Sequence, residues 1–266
     1  LPFTQFSFTT KPLAVSSQLP AEPPSPALTP QRSGLTPQPH SGPRSRRKGP
    51  PQSPWETLPP LQAEPGVTAL AGQALDLDGQ PLSNVLLEME GMYGSKPVRA
   101  RTDQTGRFLL KRIMAGWCEL LIDGRRAGRA PRTKWGYGVF EVGLEITAGQ
   151  TNVLPYTIWL PKIDAAHAVR IPSPTPHEVV VTTPTIPGLE LRIPAGTVIR
   201  DHEGKVVTEL SITAIPVERP PFPLPEQFPV YMTIQPGAAY VYGSQGARLI
   251  YPNAAEAPPG ARYTLW

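Results

Sequence analysis

The fold class follows from two stretches of sequence, VTALAGQALDLDGQPLSNV at residues 67–85 and TDQTGRF at residues 102–108. In each stretch an aspartate precedes a glycine, Gly79 or Gly106, within three residues. An aspartate side chain accepts hydrogen bonds from nearby backbone N–H groups, and glycine takes the positive φ that tight turns need. Pro81 then fixes φ where the chain re-enters an extended segment. The two stretches therefore predict β-strands joined by tight turns.

Outward from these turns, apolar and polar residues alternate with the period of two that is typical of half-buried strands. Phe108 is predicted to point inward as a core anchor. The alternating segments are 85–89, 139–146, 156–160, 189–193, 209–214 and 230–234. This pattern predicts an all-β protein.

Residues 109–122 also fit another interpretation, because their apolar residues recur at helical spacing. Gly116 would weaken such a helix by about 1 kcal/mol relative to alanine. No N-cap residue directly precedes Leu109. We therefore predict two strands, 107–113 and 117–122, with a turn at 114–116.

Prolines divide the chain unevenly. The sequence has 37 prolines among 266 residues, and 16 of them lie in residues 1–65. Prolines at this density disrupt hydrogen-bonded elements, so we predict a disordered Pro-rich linker there. The remaining chain is predicted to form two β-sandwich domains, at 66–164 and 165–266.

Charge and composition exclude several classes of protein. The formal net charge is +4, of which +3 belongs to residues 1–65, so the predicted domains are nearly neutral and nucleic-acid binding is disfavoured. No apolar stretch is long enough for a membrane span. The single cysteine, Cys118, allows no internal disulfide.

The sequence contains no pattern of catalytic, cofactor-binding or metal-binding residues. No G-x-S-x-G, phosphate-binding glycine loop or paired metal-ligand histidines occur. Asp76 and Asp78 are two carboxylates of an incomplete calcium loop, for which a simple turn is the favoured interpretation. We expect no enzyme activity, no cofactor and no metal.

The strongest candidate for a binding site is the loop at 124–137, which combines five cations with two aromatic residues. Guanidinium groups and rings of this kind can hold an anionic glycan, a phosphate or an acidic protein surface. The alternative is a solvated loop whose aromatic residues cap the sandwich. The candidate binding residues are Arg125, Arg126, Arg132, Trp135 and Tyr137.

The motifs at 67–85 and 102–108 resemble the opening of a carboxypeptidase regulatory-like domain, and the resemblance spans roughly 67–160. It implies a seven-stranded transthyretin-like β-sandwich, from which this chain departs at Gln73, where an aliphatic residue is common, and in the long basic loop. Residues 171–199 and 235–237 are similar to the segment that follows such a domain in bacterial RHS-repeat proteins, which resemble teneurins. The turns I-P-A-G-T at 193–197 and Q-P-G at 235–237 also resemble those of a β-sandwich domain of ankyrins and netrin receptors, and we expect the second sandwich to be Ig-like.

The resemblance implies a non-catalytic structural or adhesive N-terminal module of a secreted or surface protein. Its implied partner is a downstream RHS shell in the same chain, which in such proteins often carries a C-terminal toxin. An anionic glycan or another cell-surface component is a further candidate partner. A carbohydrate-binding module is the alternative, in which Trp135, Tyr137 or Trp159 stacks on sugars. An accessory domain of a peptidase is a third interpretation, but residues 1–65 supply no peptidase.

Overall fold

The computed structural model describes residues 53–89, 96–128, 136–201, 204–224, 231–237, 239–243 and 246–251. These residues form β-strands and two short 3₁₀ turns, Pro54–Thr57 and Ala165–His167, and no α-helix occurs among them. The described part of the chain likewise holds no helix that could cross a membrane. The predicted all-β class is confirmed.

The first lobe is a sandwich of two four-stranded sheets. One sheet has the order β4-β1-β7, with β8 also paired to β1, and the other has the order β3-β2-β5-β6. The strands are β1 (Ala69–Asp76), β2 (Leu86–Met89), β3 (Val98–Arg101), β4 (Arg107–Lys111), β5 (Gly116–Asp123), β6 (Val139–Ile146), β7 (Thr151–Val153) and β8 (Ile158–Leu160).

The two predicted turns are present, and each is built by its aspartate. Gly79 and Gly106 have φ values of 81° and 74°. Oδ1 of Asp76 accepts two backbone N–H groups at 3.0 and 2.8 Å, and Oδ1 of Asp103 accepts two at 2.7 and 3.1 Å. Both carboxylates are thus engaged by their own turns, which agrees with the turn interpretation of Asp76.

The core of the first lobe lies between its sheets. Phe108 is 1% exposed, as predicted, and the inward residues of the alternating segment 85–89 are also buried. Burying a side chain of this size contributes roughly 1.5–3 kcal/mol. The largest fully buried side chains here are Phe108, Leu70, Leu75, Leu87, Met89, Leu110, Leu120, Ile122, Ile158 and Leu160.

The predicted pair of strands at 107–113 and 117–122 is confirmed as β4 and β5, and the helical interpretation is wrong. The two strands do not pair with each other. β4 pairs with β1, whereas β5 pairs with β2 and β6. The turn between them therefore carries the chain from one sheet to the other. Because each strand has its own buried face, the apolar residues of 109–122 do not follow a single alternation.

Residues 53–65 depart from the predicted disordered linker, whereas residues 1–52 lie outside the described part. Oγ of Ser53 donates to the Gly79 carbonyl at 2.7 Å, and Ser53 also caps the first 3₁₀ turn. The N–H of Ala63 bonds to Oγ1 of Thr151 at 2.9 Å, and Lys111 pairs with Glu64. These residues form a strap along the first sheet. Its prolines suit an extended strap that bonds mainly through side chains and carbonyls.

Strand β1 is buried on both of its faces. Leu70 and Ala74 point into the core, while Ala71 and Leu75, on the opposite face, are also 0% exposed. Gln73 lies on this outer face, where its amide donates to carbonyls of Trp55 and Thr105. This polar residue of β1 therefore attaches the strap.

The second lobe places three small sheets around a separate core. The sheet orders are β10-β11-β16, β12-β15 and β14-β13-β9. The alternation predicted at 189–193 is confirmed, with Leu191 1% exposed. At 209–214 Ile212 is buried as predicted, but Ser211 and Thr213, which the alternation places outward, are buried as well because they bond to the backbone of Asp164. The strands are β9 (Val169–Arg170), β10 (Val179–Thr182), β11 (Glu190–Ile193), β12 (Val198–Asp201), β13 (Glu209–Ile215), β14 (Tyr231–Gln235), β15 (Ala239–Tyr242) and β16 (Arg248–Ile250).

The loop that follows β13 packs against the first lobe. Phe222 contacts Phe140 of β6 edge to face, with ring centroids 6.2 Å apart. The guanidinium of Arg219 lies 5.0 Å from the ring centroid of Trp159 and donates to the Leu77 carbonyl. Aromatic and cation–π contacts are thus both present at this junction.

Hydrogen bonds reinforce the junction at two further places. Nε2 of Gln235 on β14 donates to the Val139 carbonyl at 3.2 Å. Where the chain passes between the lobes, the N–H of Asp164 donates to Oγ1 of Thr213, and its carbonyl accepts from Ser211 at 2.7 Å. The two lobes therefore share several specific contacts in addition to the connecting peptide.

Candidate functional site

The two ends of the basic loop, residues 124–137, meet at one place in the first lobe, which we call the pinched base. The N–H of Gly124 donates to the Gly138 carbonyl at 3.1 Å, and the N–H of Tyr137 donates to the Gly124 carbonyl at 3.2 Å. A Cβ on Gly136 would lie 2.5 Å from the carbonyl oxygen of Arg125. Glycine is needed there because the two ends of the loop touch. The base is therefore fixed by backbone contacts.

A second attachment holds the first half of the loop against the turn before β2. The N–H of Gly128 donates to the Ser83 carbonyl at 2.8 Å, and the amide of Asn84 donates to the Arg126 carbonyl at 2.7 Å. Ala127 is 4% exposed and belongs to the core. This small apolar residue within a basic run anchors the loop, and the side chains beside it stay outside.

Arg125 is exposed and forms a fork with Asp123, at the end of β5. Its Nε and Nη2 atoms lie 3.0 and 2.7 Å from the two carboxylate oxygens. Burial raises the pKa of Asp123, but hydrogen bonds from Arg125 and the charge of Arg101 outweigh it, so this pKa is lowered overall. The ion pair positions the Arg125 guanidinium at the edge of the sheet.

The structure places only some of the predicted site residues together. Arg125 and Arg126 are exposed neighbours at the start of the loop. Tyr137 is half-buried and packs against the core, and its pKa is raised by burial and by the charges of Asp76 and Asp78. Its side chain thus packs with the core of the first lobe. Arg132 and Trp135 lie outside the described residues.

Trp159 is not available for stacking on sugars. Its side chain alternates outward from the core, as its position in the strand predicts, yet it is 5% exposed. Arg219 of the second lobe covers it. The expectation of an exposed ring is wrong because a residue distant in sequence packs over this face.

The aromatic side chain that the sequence interpretation missed is Trp117 of β5. It is 65% exposed, and its ring lies over Gly143 of β6. The sequence contains the signal, because the alternation of β5 places Trp117 on the same face as Glu119, whereas Leu120 and Ile122 lie on the opposite, buried face.

Acidic side chains surround this ring. In the register of β5 and β6, Trp117 is opposite Glu145, and Glu119 is opposite Gly143. Glu141 lies two residues before Gly143 and therefore on the same face. The exposed indole is thus accompanied by three of the carboxylates on this face, those of Glu119, Glu141 and Glu145.

Within the residues that the structure describes, no three histidine, cysteine or acidic side chains are grouped so that they could hold a metal ion. His202, which the sequence places beside Asp201 and Glu203, lies outside those residues.

No family model matches the chain, and no curated protein matches it. Similar solved structures include the minor pilin GBS52 of Streptococcus agalactiae, at 19% identity over 38% of this chain and 47% of the pilin, with a TM-score of 0.27. A streptococcal ancillary pilin is 9% identical over 72% and 61% of the two chains, with a TM-score of 0.28.

A third similar structure is 3-chlorocatechol 1,2-dioxygenase from Rhodococcus opacus, at 15% identity over 38% of this chain and 61% of the enzyme, with a TM-score of 0.26. This chain therefore spans less than two thirds of each of the three proteins.

Proposed function

We propose that this chain is a non-catalytic structural and adhesive module that spaces and presents other parts of a bacterial secreted or surface protein. The junction between the lobes is the observation that carries the proposal. A stalk must transmit position from one end to the other, and two sandwiches joined by a free linker would reorient independently. The contacts of Phe222, Arg219 and Gln235 with the first lobe oppose such reorientation.

Cooperative unfolding tests the stalk proposal. The intact chain should unfold in urea as one transition, followed by tryptophan fluorescence and by far-ultraviolet circular dichroism. The double variant Phe222→Ala/Gln235→Ala should separate this into two transitions, because each lobe retains its own core. Val217→Ala, at a position 51% exposed near the start of the same loop, is the matched control and should leave one transition. Two independent transitions in the unaltered chain would contradict the proposal.

We further propose that the parent protein is an RHS-repeat protein and that the first lobe is a carboxypeptidase regulatory-like domain. The motifs at 67–85 and 102–108, with the aspartate-built turns that they form, support this assignment. The test is the coding sequence that follows Trp266. Repeats of Tyr-Asp followed by Gly-Arg would support a downstream RHS shell, and their absence would contradict it.

Binding of an anionic glycan by the basic loop is the second candidate function. The pinched base and the anchor at Ala127 favour it, because they hold Arg125 and Arg126 exposed at a fixed place. Changing Arg125, Arg126 and Arg132 to serine should abolish binding to sulfated or uronic-acid glycans on an array. A control changes Arg170, Arg200 and Arg248 to serine, with the same loss of charge outside the loop. Equal binding by both triple variants would contradict this role.

A further inference from the structure

Trp117 forms an aromatic platform on the open face of the second sheet. A Cβ on Gly143 would lie 2.2 Å from Cζ2 of Trp117 and 2.8 Å from Cη2. The missing side chain at position 143 is therefore what allows the indole to lie against the strand. One side of the ring packs on backbone, while the side chain remains 65% exposed. The ring is thus both supported and accessible.

The charged side chains of β5 and β6 all have one sign. Glu145 is directly opposite Trp117, which places their Cβ atoms about 5 Å apart, and Glu119 occupies the equivalent position beside Gly143. No lysine or arginine occurs in β5 or β6. Among the residues that the structure describes, neither Glu119 nor Glu145 forms an ion pair. A complementary ligand therefore has a cationic group.

The shape of the platform selects among cations. A guanidinium is planar, stacks on an aromatic face, and directs its N–H groups outward in its own plane, where they can meet carboxylates. An ammonium is a compact, strongly hydrated charge and covers less of an indole ring. A neutral sugar could stack on the ring but would not compensate the negative charge around it. The arrangement of one ring with carboxylates at its edge favours arginine.

We propose that Trp117, together with Glu119 and Glu145, is a docking site for an arginine side chain of a partner polypeptide. The guanidinium stacks on the exposed side of the indole, and its N–H groups donate to the two carboxylates. This site lies on the opposite sheet from the strap, and it does not depend on the stalk proposal or on glycan binding by the basic loop.

Indole N–H resonances test the site directly. The chain has five tryptophans, and the Trp117 signal is identified by its absence from Trp117→Phe. The probes are N-acetyl-arginine methylamide, the corresponding lysine derivative, and the citrulline derivative, which keeps the planar shape without the charge. We expect saturable shifts of the Trp117 signal, with the arginine probe binding about tenfold more tightly than citrulline and with affinity that falls as salt rises. Equal binding of citrulline, or no shift with arginine, would overturn the proposal.

Two variants separate the charge from the ring. Glu119→Gln/Glu145→Gln keeps the shape of the face and should remove most of the preference for arginine over citrulline. Tyr242→Ala, which removes an exposed aromatic residue of the second lobe, should bind as the unaltered chain does. Shifts of Trp117 with cellobiose but not with arginine would overturn the proposal and identify a sugar-binding platform.

Discussion

Gly106→Ala tests the physical basis of the first lobe. Gly106 has a φ of 74°, and a Cβ there would lie 2.3 Å from the carbonyl oxygen of Ala74. The left-handed conformation costs a non-glycine residue about 1–2 kcal/mol. The clash adds about 1–3 kcal/mol, because Ala74 belongs to the backbone of a buried strand and cannot rotate away. We therefore expect unfolding free energy to fall by about 3 kcal/mol.

Gly149→Ala is the matched control for this substitution. Gly149 has a φ of 72°, and nothing lies within 4 Å of the position of a Cβ. This variant should lose only the conformational part, about 1–2 kcal/mol. Urea unfolding of both variants, followed by circular dichroism, gives the difference. Equal losses for the two variants would refute the argument that the second turn packs tightly against β1.

Three further perturbations follow from individual contacts. Ser53→Ala should lower the unfolding free energy by about 1–2 kcal/mol in urea, because a buried hydrogen bond and a cap are lost. Burial raises the pKa of Asp103, but hydrogen bonds from its turn outweigh this effect, so the folded pKa is lowered overall. The stability that Asp103 contributes is therefore present above the unfolded pKa of about 3.9 and is lost as pH falls through the lower folded pKa. In Asp103→Asn the unfolding free energy should fall less steeply as pH is lowered. The range to measure is from pH 6 to pH 2, about two units on either side of the unfolded pKa. Gly143→Ala should shift the Trp117 indole resonance and weaken arginine binding with little loss of stability, since the ring can move.

The turns and the strand alternation were predictable because local chemistry determines them. An aspartate that accepts from its own turn and a glycine at positive φ act within four residues, so 67–85 and 102–108 predict their conformations directly. The alternation at 139–146 likewise depends only on one face being buried. At residues 109–122 the missing N-cap and Gly116 correctly favoured strands over a helix.

The pattern could not predict which outward faces are covered. Trp117 and Trp159 both point away from the core, but one is 65% exposed and the other is 5% exposed. The difference comes from Arg219, which is 60 positions from Trp159 in the sequence. Strand periodicity reports the inner face of a sheet and contains no information about a second lobe that packs on its outer face.

The strap was missed for a related reason. Proline density argues against helices and central strands and is typical of disorder, although an extended segment can also be held through side chains and carbonyls. The side chain of Ser53 and the carbonyls of Trp55 and Pro59 bond to the first lobe in this way. The one sequence signal was Gln73, a polar residue in an otherwise apolar strand, whose amide requires carbonyl partners.

These differences between the faces determine where recognition can occur in the first lobe. The outer face of β1 is buried, and the outer side of β8 faces Arg219, so the first sheet is occupied by contacts within the chain. The outer face of β5 and β6 presents Trp117 and acidic side chains to solvent. A stalk that recognises a partner needs one side for its own rigidity and another for contact, and the two sheets of this lobe divide these roles.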